Sequence, residues 1–281
     1  MPTFAATMNP FFQDYTTAYG TIPFGKLKNE HYVPAIHQGI TDAKAEIDAI
    51  VHTNDTPTFE NVIVALENSG ELLTKVTSAF FNLNSAETSD EMQEIAQEIS
   101  PLLSAHGNDI AMNAGLFAKV KEVFDQGFDG LTPEQKTLLE NAYKGFTRNG
   151  ANLNDTDKEK LREIDARKAK LSLIFGERVL KESNAFEMLI TDENDLDGLP
   201  EGIREAAQGM ATAKEKGGWL FTLDYPSYIP FVTYSTRREL REKMYKAFSS
   251  KAFQSNENNN EEIIQEIVQL RSQRANLLGF E

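Results

Sequence analysis

His31-Tyr-Val-Pro-Ala-Ile-His-Gln-Gly-Ile-Thr-Asp-Ala-Lys-Ala-Glu-Ile-Asp-Ala-Ile-Val51 is the stretch that decides the fold class. Its apolar residues Val33, Ile36, Ile40, Ala43, Ile47 and Ile50 recur every three or four positions. At about 3.6 residues per turn this spacing puts them on one side of an α-helix, whereas a half-buried strand would alternate. Pro34 falls in the first turn, where no intrahelical bond needs its missing N–H. The stretch predicts one helix with one buried stripe.

The same period continues on the C-terminal side. Thr56-Pro57 offers an N-cap and first-turn pair. A helix is expected from about Phe59 to Asn84, with Phe59, Ile63, Leu66, Leu73, Val76, Phe80 and Leu83 on one side and a weak point at Gly70. Thr88-Ser-Asp-Glu91 reads as a capping box before Met92, Ile95, Ile99, Leu102 and Leu103, with a kink at Pro101. Asn113 precedes Leu116, Phe117, Val120, Val123 and Phe124. Thr132-Pro-Glu-Gln135 is a second capping box and opens a helix to about Phe146, closed by Asn149-Gly150. Asn154-Asp155 opens a long helix to about Lys181.

After Ser183 the pattern changes. Phe186–Ile190 and Trp219–Leu223 read as strands that pair in a small ribbon. Between them lie an acidic turn, Asp192–Gly198, a helix from Leu199-Pro200 to Lys216, and a break at Gly217-Gly218. Tyr225–Ser235, with Pro226 and Pro230, is a loop or short helix. Thr236–Phe253 is a helix rich in Arg and Lys, Asn256–Asn260 a polar turn, and Glu261–Leu278 a last helix ending at Gly279. The expected fold is mostly α, a multi-helix domain with one small β-ribbon and no fixed repeat. The change near Ser183 divides a helical subdomain, 1–183, from a ribbon and two further helices, 184–281.

The 281 residues carry 28 Lys+Arg against 43 Asp+Glu, a net charge of −15. That balance and the lack of a long basic run argue against nucleic acid as a partner. The absence of cysteine excludes disulfides, Cys-based zinc sites, iron–sulfur clusters and thiol catalysis. Apolar runs such as Val62–Leu66 are too short to span a bilayer, and Met1–Pro10 has neither a basic nor an apolar leader segment. The expected location is the cytoplasm, with no membrane partner.

No complete catalytic motif is present. Gly20-Thr-Ile-Pro-Phe-Gly25-Lys26 spells most of a phosphate-binding loop, but the magnesium-holding Ser or Thr is replaced by Leu27, and no buried strand precedes it. The bland reading is an N-terminal turn pinned by Phe24. The histidines are His31, His37, His52 and His106, and the residues four further on are Ala35, Thr41, Thr56 and Ile110. No pair can therefore face one zinc from a single helix, and the histidines read as capping or surface groups. Glu91, Glu94 and Glu98 read as a solvated helix face. Trp219, Tyr225, Tyr228 and Tyr234 line either a cleft or, as aromatic residues more often do, a core. No residue is assigned a catalytic, cofactor-binding or metal-binding role, and a stand-alone helical protein-interaction module is the reading from the residues alone.

An ordered set of segments resembles the N-terminal region of the zinc peptidases that include bacterial peptidyl-dipeptidase, oligopeptidase A and thimet oligopeptidase. They are Glu30-His-Tyr-Val-Pro-Ala35, Pro57-Thr-Phe-Glu-Asn61, Ala65-Leu-Glu-Asn-Ser-Gly70, Phe81-Asn-Leu-Asn-Ser-Ala86 and Asn149-Gly-Ala-Asn-Leu153. Phe221-Thr-Leu-Asp-Tyr-Pro-Ser-Tyr-Ile-Pro230, Leu240-Arg-Glu-Lys-Met-Tyr245 and Leu270-Arg-Ser-Gln-Arg-Ala-Asn-Leu-Leu-Gly279 complete it. The resemblance runs from about Asn9 to Glu281 and looks closest to the dipeptidyl branch.

The resemblance implies a parent that hydrolyses short peptides with a zinc ion held by an H-E-x-x-H helix and a downstream Glu. Neither is present in this chain, so no zinc ligand or general base is carried onto any residue. The implied role is the non-catalytic wall of a channel, with a C-terminal catalytic domain as partner and zinc bound outside this chain, which would then be truncated. An apolar patch awaiting that partner is expected over Trp219–Tyr234 and the last helix, up to Leu277, Leu278 and Phe280.

Overall fold

The computed structural model describes residues 9–280. Residues 1–8, most of the Met1–Pro10 stretch read above, and residue 281 lie outside the described residues. The chain divides into two units, one of Met1–Lys170 with Gln269–Glu281 and the other of Leu171–Val268.

The first unit is built on the helix expected from the opening stretch, α1 (Tyr32–His52). Its buried face is Tyr32, Ala35, Ile36, Gly39, Ala43, Ile47 and Ile50, so Val33 and Ile40 of the predicted stripe are only half-buried. The face is rotated because the small residues Ala35, Gly39 and Ala43 admit a neighbouring backbone. That neighbour is not the continuous Phe59–Asn84 helix expected. A π-helical turn, Phe59–Val64, runs into a single α-turn, α2 (Ala65–Glu67), and the chain breaks at Gly70, which is left-handed with φ 70°. The long helix α3 (Glu71–Ala86) starts only after that break.

The start of the π-turn also moves. Thr58, not Thr56, is the N-cap, because Asn61 Nδ2 donates to Thr56 O (3.0 Å) while Asn61 N and Thr58 Oγ1 bond at 3.1 Å. At α4 (Asp90–Ala111) Ser89 caps, accepting from Met92 N at 3.3 Å. The expected cap Thr88 instead donates its hydroxyl to Asn84 Oδ1 (2.8 Å). The helix continues through Pro101.

The other caps fall as read. Asn113 opens α5 (Ala114–Asp125), and the Thr132–Gln135 capping box opens α6 (Pro133–Thr147). The long helix α7 (Asp155–Ala185) follows. Ile47, Ile50, Val62, Ile63, Leu116, Val120, Leu139 and Phe146 form a continuous core. Burying each such side chain is worth about 1.5–3 kcal/mol. Rings tie α5 to α6, with Phe124 stacked on Tyr143 at 4.1 Å.

In the second unit β1 (Met188–Ile190) and β2 (Trp219–Phe221) pair antiparallel, with Met188 opposite Phe221 and Ile190 opposite Trp219. Both strands are shorter than expected, but the ribbon is the one predicted. Met188 and Ile190 point inward, and Leu189 is 43% exposed. The acidic turn holds one tight helical turn, Glu193–Leu196. The helices are α8 (Glu201–Ala213), α9 (Tyr225–Tyr234), α10 (Arg238–Ser249) and, as far as Val268, α11 (Glu261–Leu277).

α10 is shorter than the Thr236–Phe253 helix expected. Thr236 uses its N–H on Asp197 O (2.9 Å) and its hydroxyl on Asp197 Oδ2 (2.7 Å). At the other end Ala252 takes φ 54° and its carbonyl accepts from Asn260 N at 2.7 Å. Met188, Ile190, Phe221, Leu223, Tyr228, Phe231 and Met244 make the core of this unit. Among the described residues the protein is mostly helical with a single two-stranded sheet, and no helix is long and apolar enough to cross a membrane.

Candidate functional site

The Gly20–Lys26 stretch lies in two short helical turns, Ala18–Gly20 and Phe24–Lys26, with extended backbone after each and, among the described residues, no strand before them. Phe24 is 47% exposed, so it does not pin the turn. Three histidines sit as expected. His31 Nδ1 accepts from Lys28 N (3.0 Å), His52 Nδ1 lies 2.8 Å from Asp48 O, and His37 is exposed.

His106 corrects the reading of all four as capping or surface groups. It is buried in α4 at 6% exposure, and its Nδ1 has no hydrogen-bond partner. Burial holds its pKa below the usual histidine range; the nearby Lys44 ammonium adds to this and Asp109 opposes it. Asp109 bridges Lys44 of α1 (3.0 Å) and Arg162 of α7 (2.7 Å). Burial pushes the Asp109 carboxyl up, but the hydrogen bonds from those two cations outweigh it and the net shift is downward. Among the described residues no three of His, Cys, Asp and Glu form a group that could hold a metal ion.

Several segments of the ordered set meet within the first unit. Arg274 donates from Nε to Asp165 Oδ1 (2.8 Å) and from Nη2 to Asn149 Oδ1 (2.8 Å). Tyr32 meets Phe80 edge-on at 5.1 Å, and Phe80 meets Phe81 at 5.1 Å. Thr58 and Asn61 cap a helix, as described above. In each case a side chain closes a backbone or packing requirement of the fold.

The second unit holds the aromatic cluster, and the structure splits it. Tyr228 is buried and stacked on Phe248 at 4.1 Å, and Trp219 packs against the core, so these two belong to the interior. Tyr225 (67% exposed) and Tyr234 (53%) face outward. The expected apolar patch over the ribbon is corrected in the same way, because Leu220, Phe221, Leu223 and Phe231 pack inside the unit. Within the stretches where the patch was expected, the other exposed large apolar side chains are Ile229 on α9, Ile264 and Val268 on α11, and Phe280.

A groove of about 330 Å³ is lined by Val232 of α9 and Arg238, Arg241, Glu242 and Tyr245 of α10. The four α10 residues follow i, i+3, i+4 and i+7, one outward stripe, while Leu240, Met244 and Ala247 turn to the core. Arg241 donates Nη1 to Ser235 O, which fixes its guanidinium at the α9–α10 corner. The hydrogen bond from Lys246 (2.5 Å) holds the Glu242 carboxyl below its usual range, with Arg238 contributing less. A smaller pocket of about 220 Å³ lies between α8, β2 and the start of α9. Its polar rim, Thr222, Asp224 and Ser227, is bonded to itself.

The sequence profile of peptidase family M3 matches residues 231–281. The chain is 37% identical over 278 residues to dipeptidyl carboxypeptidase of Escherichia coli (strain K12), covering 98% of this chain and 40% of that protein. Its sequence relatives are family M3 peptidases. Oligopeptidase A of Salmonella typhimurium is 33% identical over 270 residues, which is 94% of this chain and 40% of that protein. Oligopeptidase A of Haemophilus influenzae is 34% identical over 266 residues, 93% and 39%. The chain thus spans about two-fifths of the length of these curated relatives, and the family resemblance drawn from the ordered segments is borne out.

The family M3 profile begins in α9 and runs through α10 and α11, so the groove's residues lie inside it. Arg241 and Tyr245 stand in the Leu240–Tyr245 segment of the ordered set, but no role was read for them from the sequence, and Arg238 lies outside that segment. Their i, i+3, i+7 spacing within an Arg/Lys-rich helix was the available signal.

Proposed function

We propose that this chain is the non-catalytic, channel-wall portion of a zinc peptidase of the peptidyl-dipeptidase kind, acting in the cytoplasm on short peptides. The observation that carries the reading is the identity of 37% across 98% of this chain, set against coverage of only 40% of the relative. The residues present do not fit a peptidase zinc ion. The chain has no cysteine and no His pair at i and i+4, and its buried histidine, His106, stands beside a lysine. Zinc, the general base and the groups that stabilise the transition state would therefore lie in a partner domain C-terminal to these residues.

What this chain supplies in that reading is confinement and charge. A wall of packed helices excludes folded proteins while admitting short peptides, and the net charge of −15 biases which peptides approach. The exposed Ile264 and Val268, one turn apart on α11, and Phe280 suit a surface that a further domain covers.

The test is the reading frame beyond the codon for Glu281. An H-E-x-x-H motif followed by a further helical Glu is expected there. A stop codon with no such motif nearby would leave the stand-alone interaction module as the better reading. The purified 281-residue chain is expected to release no dipeptide above background, and chelator-sensitive dipeptide release by it would overturn the non-catalytic assignment.

A further inference from the structure

The stretch from Thr236 to Lys251 holds six Lys or Arg against two Glu, inside a chain whose net charge is −15. Repulsion by the rest of the molecule would keep an anionic ligand away unless a local site offset it, so an excess of this kind on one short helix marks where an anion can settle. The groove between α9 and α10 concentrates that excess. Arg238 and Arg241 project along one stripe, and Lys246 ties up the one carboxylate in it, Glu242.

Geometry adds to charge. Arg241 is anchored through Nη1 to Ser235 O. A guanidinium held in this way can meet a carboxylate side-on with two parallel hydrogen bonds. One turn further on, Tyr245 is 61% exposed and Val232 forms part of the floor, so an apolar surface lies next to the cationic one. Tyrosine beside arginine is the composition of protein and peptide contact sites, where a flat amphipathic ring covers area at little entropic cost.

We propose that this groove is a docking site for a carboxylate of an acidic peptide, with Arg238 and Arg241 holding the anion and Tyr245 and Val232 covering the adjoining side chain. The carboxylate is that of an Asp or Glu side chain; capture of the peptide's own C-terminus is the outcome the test separates. The inference rests on the peptide-processing reading only for the kind of ligand. It is tested by binding, whereas that reading is tested by the downstream frame and by hydrolysis, so the two can fail separately.

The experiment uses the 281-residue chain and a fluorescein-labelled Glu-rich octapeptide with one Leu, followed by anisotropy at low and high salt. Weak, salt-sensitive binding is expected. Arg238→Gln and Tyr245→Ala should each weaken it by about five-fold. The surface variant Lys136→Gln, in the first unit, should leave it unchanged, and circular dichroism checks that each variant is folded. Changing Glu to Gln throughout should abolish binding. Amidating the C-terminus should leave it unchanged, and loss of binding on amidation alone would overturn the proposal. The proposal is overturned too if the Gln peptide binds as well as the acidic one, or if Arg238→Gln and Tyr245→Ala change nothing. It is also overturned if a single-stranded RNA of equal charge displaces the peptide at lower concentration, or if Tyr245→Ala instead dissolves a dimer of the chain.

Discussion

Replacing Gly39 by Ala sets two known effects against each other at a place where the structure says which wins. Gly39 faces α3 from the middle of α1. A Cβ built there would stand 2.9 Å from both Cα and N of Leu73 and 3.1 Å from its Cβ. Ordinary contact begins near 3.4 Å, so the two helix backbones must part by about 0.5 Å. Leu73 cannot yield by a rotamer change, because the clash is with its backbone. Overpacking of this kind costs about 1–3 kcal/mol. The gain in helix propensity from Gly to Ala offsets only about 0.8–1.0 kcal/mol.

The net expectation is a loss of about 1–2 kcal/mol, since parting α1 from α3 also thins the contacts around Ile36, Ala43 and Phe80. Gly209 is the control. It is exposed in α8 and a Cβ there meets nothing within 4 Å, so Gly209→Ala should stabilise by about 0.5–1 kcal/mol. Urea unfolding followed by far-ultraviolet circular dichroism reads the shift in midpoint for both variants. The single tryptophan, Trp219, reports separately on the second unit. A Gly39→Ala midpoint equal to or above that of the parent would refute the close-approach reasoning.

Three further predictions concern titration and metal. His106 has its folded pKa depressed below 6.5, so as pH falls through 6.5 the unfolded chain binds the proton first and stability drops until the lower folded value is passed. In His106→Gln that part of the slope should vanish, and an unchanged urea midpoint profile between neutral and mildly acidic pH would rule this out. Asp109, whose carboxyl is held below 3.8, should add a separate loss below that pH, which Asp109→Asn removes. With no cysteine and no i, i+4 histidine pair, the purified chain should carry no stoichiometric zinc. Elemental analysis finding one zinc per chain after dialysis against a mild chelator would contradict this.

Much of the local structure could be read from residue chemistry alone. Asn113 and the Thr132–Gln135 box cap where they were expected, because a cap needs only a side-chain oxygen within reach of its own backbone. Caps were misplaced by one or two positions where two candidates stood together. Thr58 and Ser89 won over Thr56 and Thr88 because the losing residues found other partners, Asn61 Nδ2 for the Thr56 carbonyl and Asn84 Oδ1 for the Thr88 hydroxyl. Those choices depend on how neighbouring side chains close around each helix start. The aromatic cluster was legible as a cluster, yet only packing divides Tyr228 and Trp219 from Tyr225 and Tyr234.

The sequence by itself determined the helical class, the single ribbon, the acidic balance and the family likeness. Each follows from period, composition or ordered residue identity, and these are properties of the chain before it folds. Only the tertiary structure decided which face of α1 is inside, since Ala35, Gly39 and Ala43 admit α3 more closely than Val33 and Ile40 would allow. It alone decided that His106 is buried beside Lys44 and Asp109, and that Arg238, Arg241 and Tyr245 border one groove with Val232. Burial and juxtaposition arise between elements distant in sequence, and the free energy that sets them comes from surfaces that meet only after the helices pack.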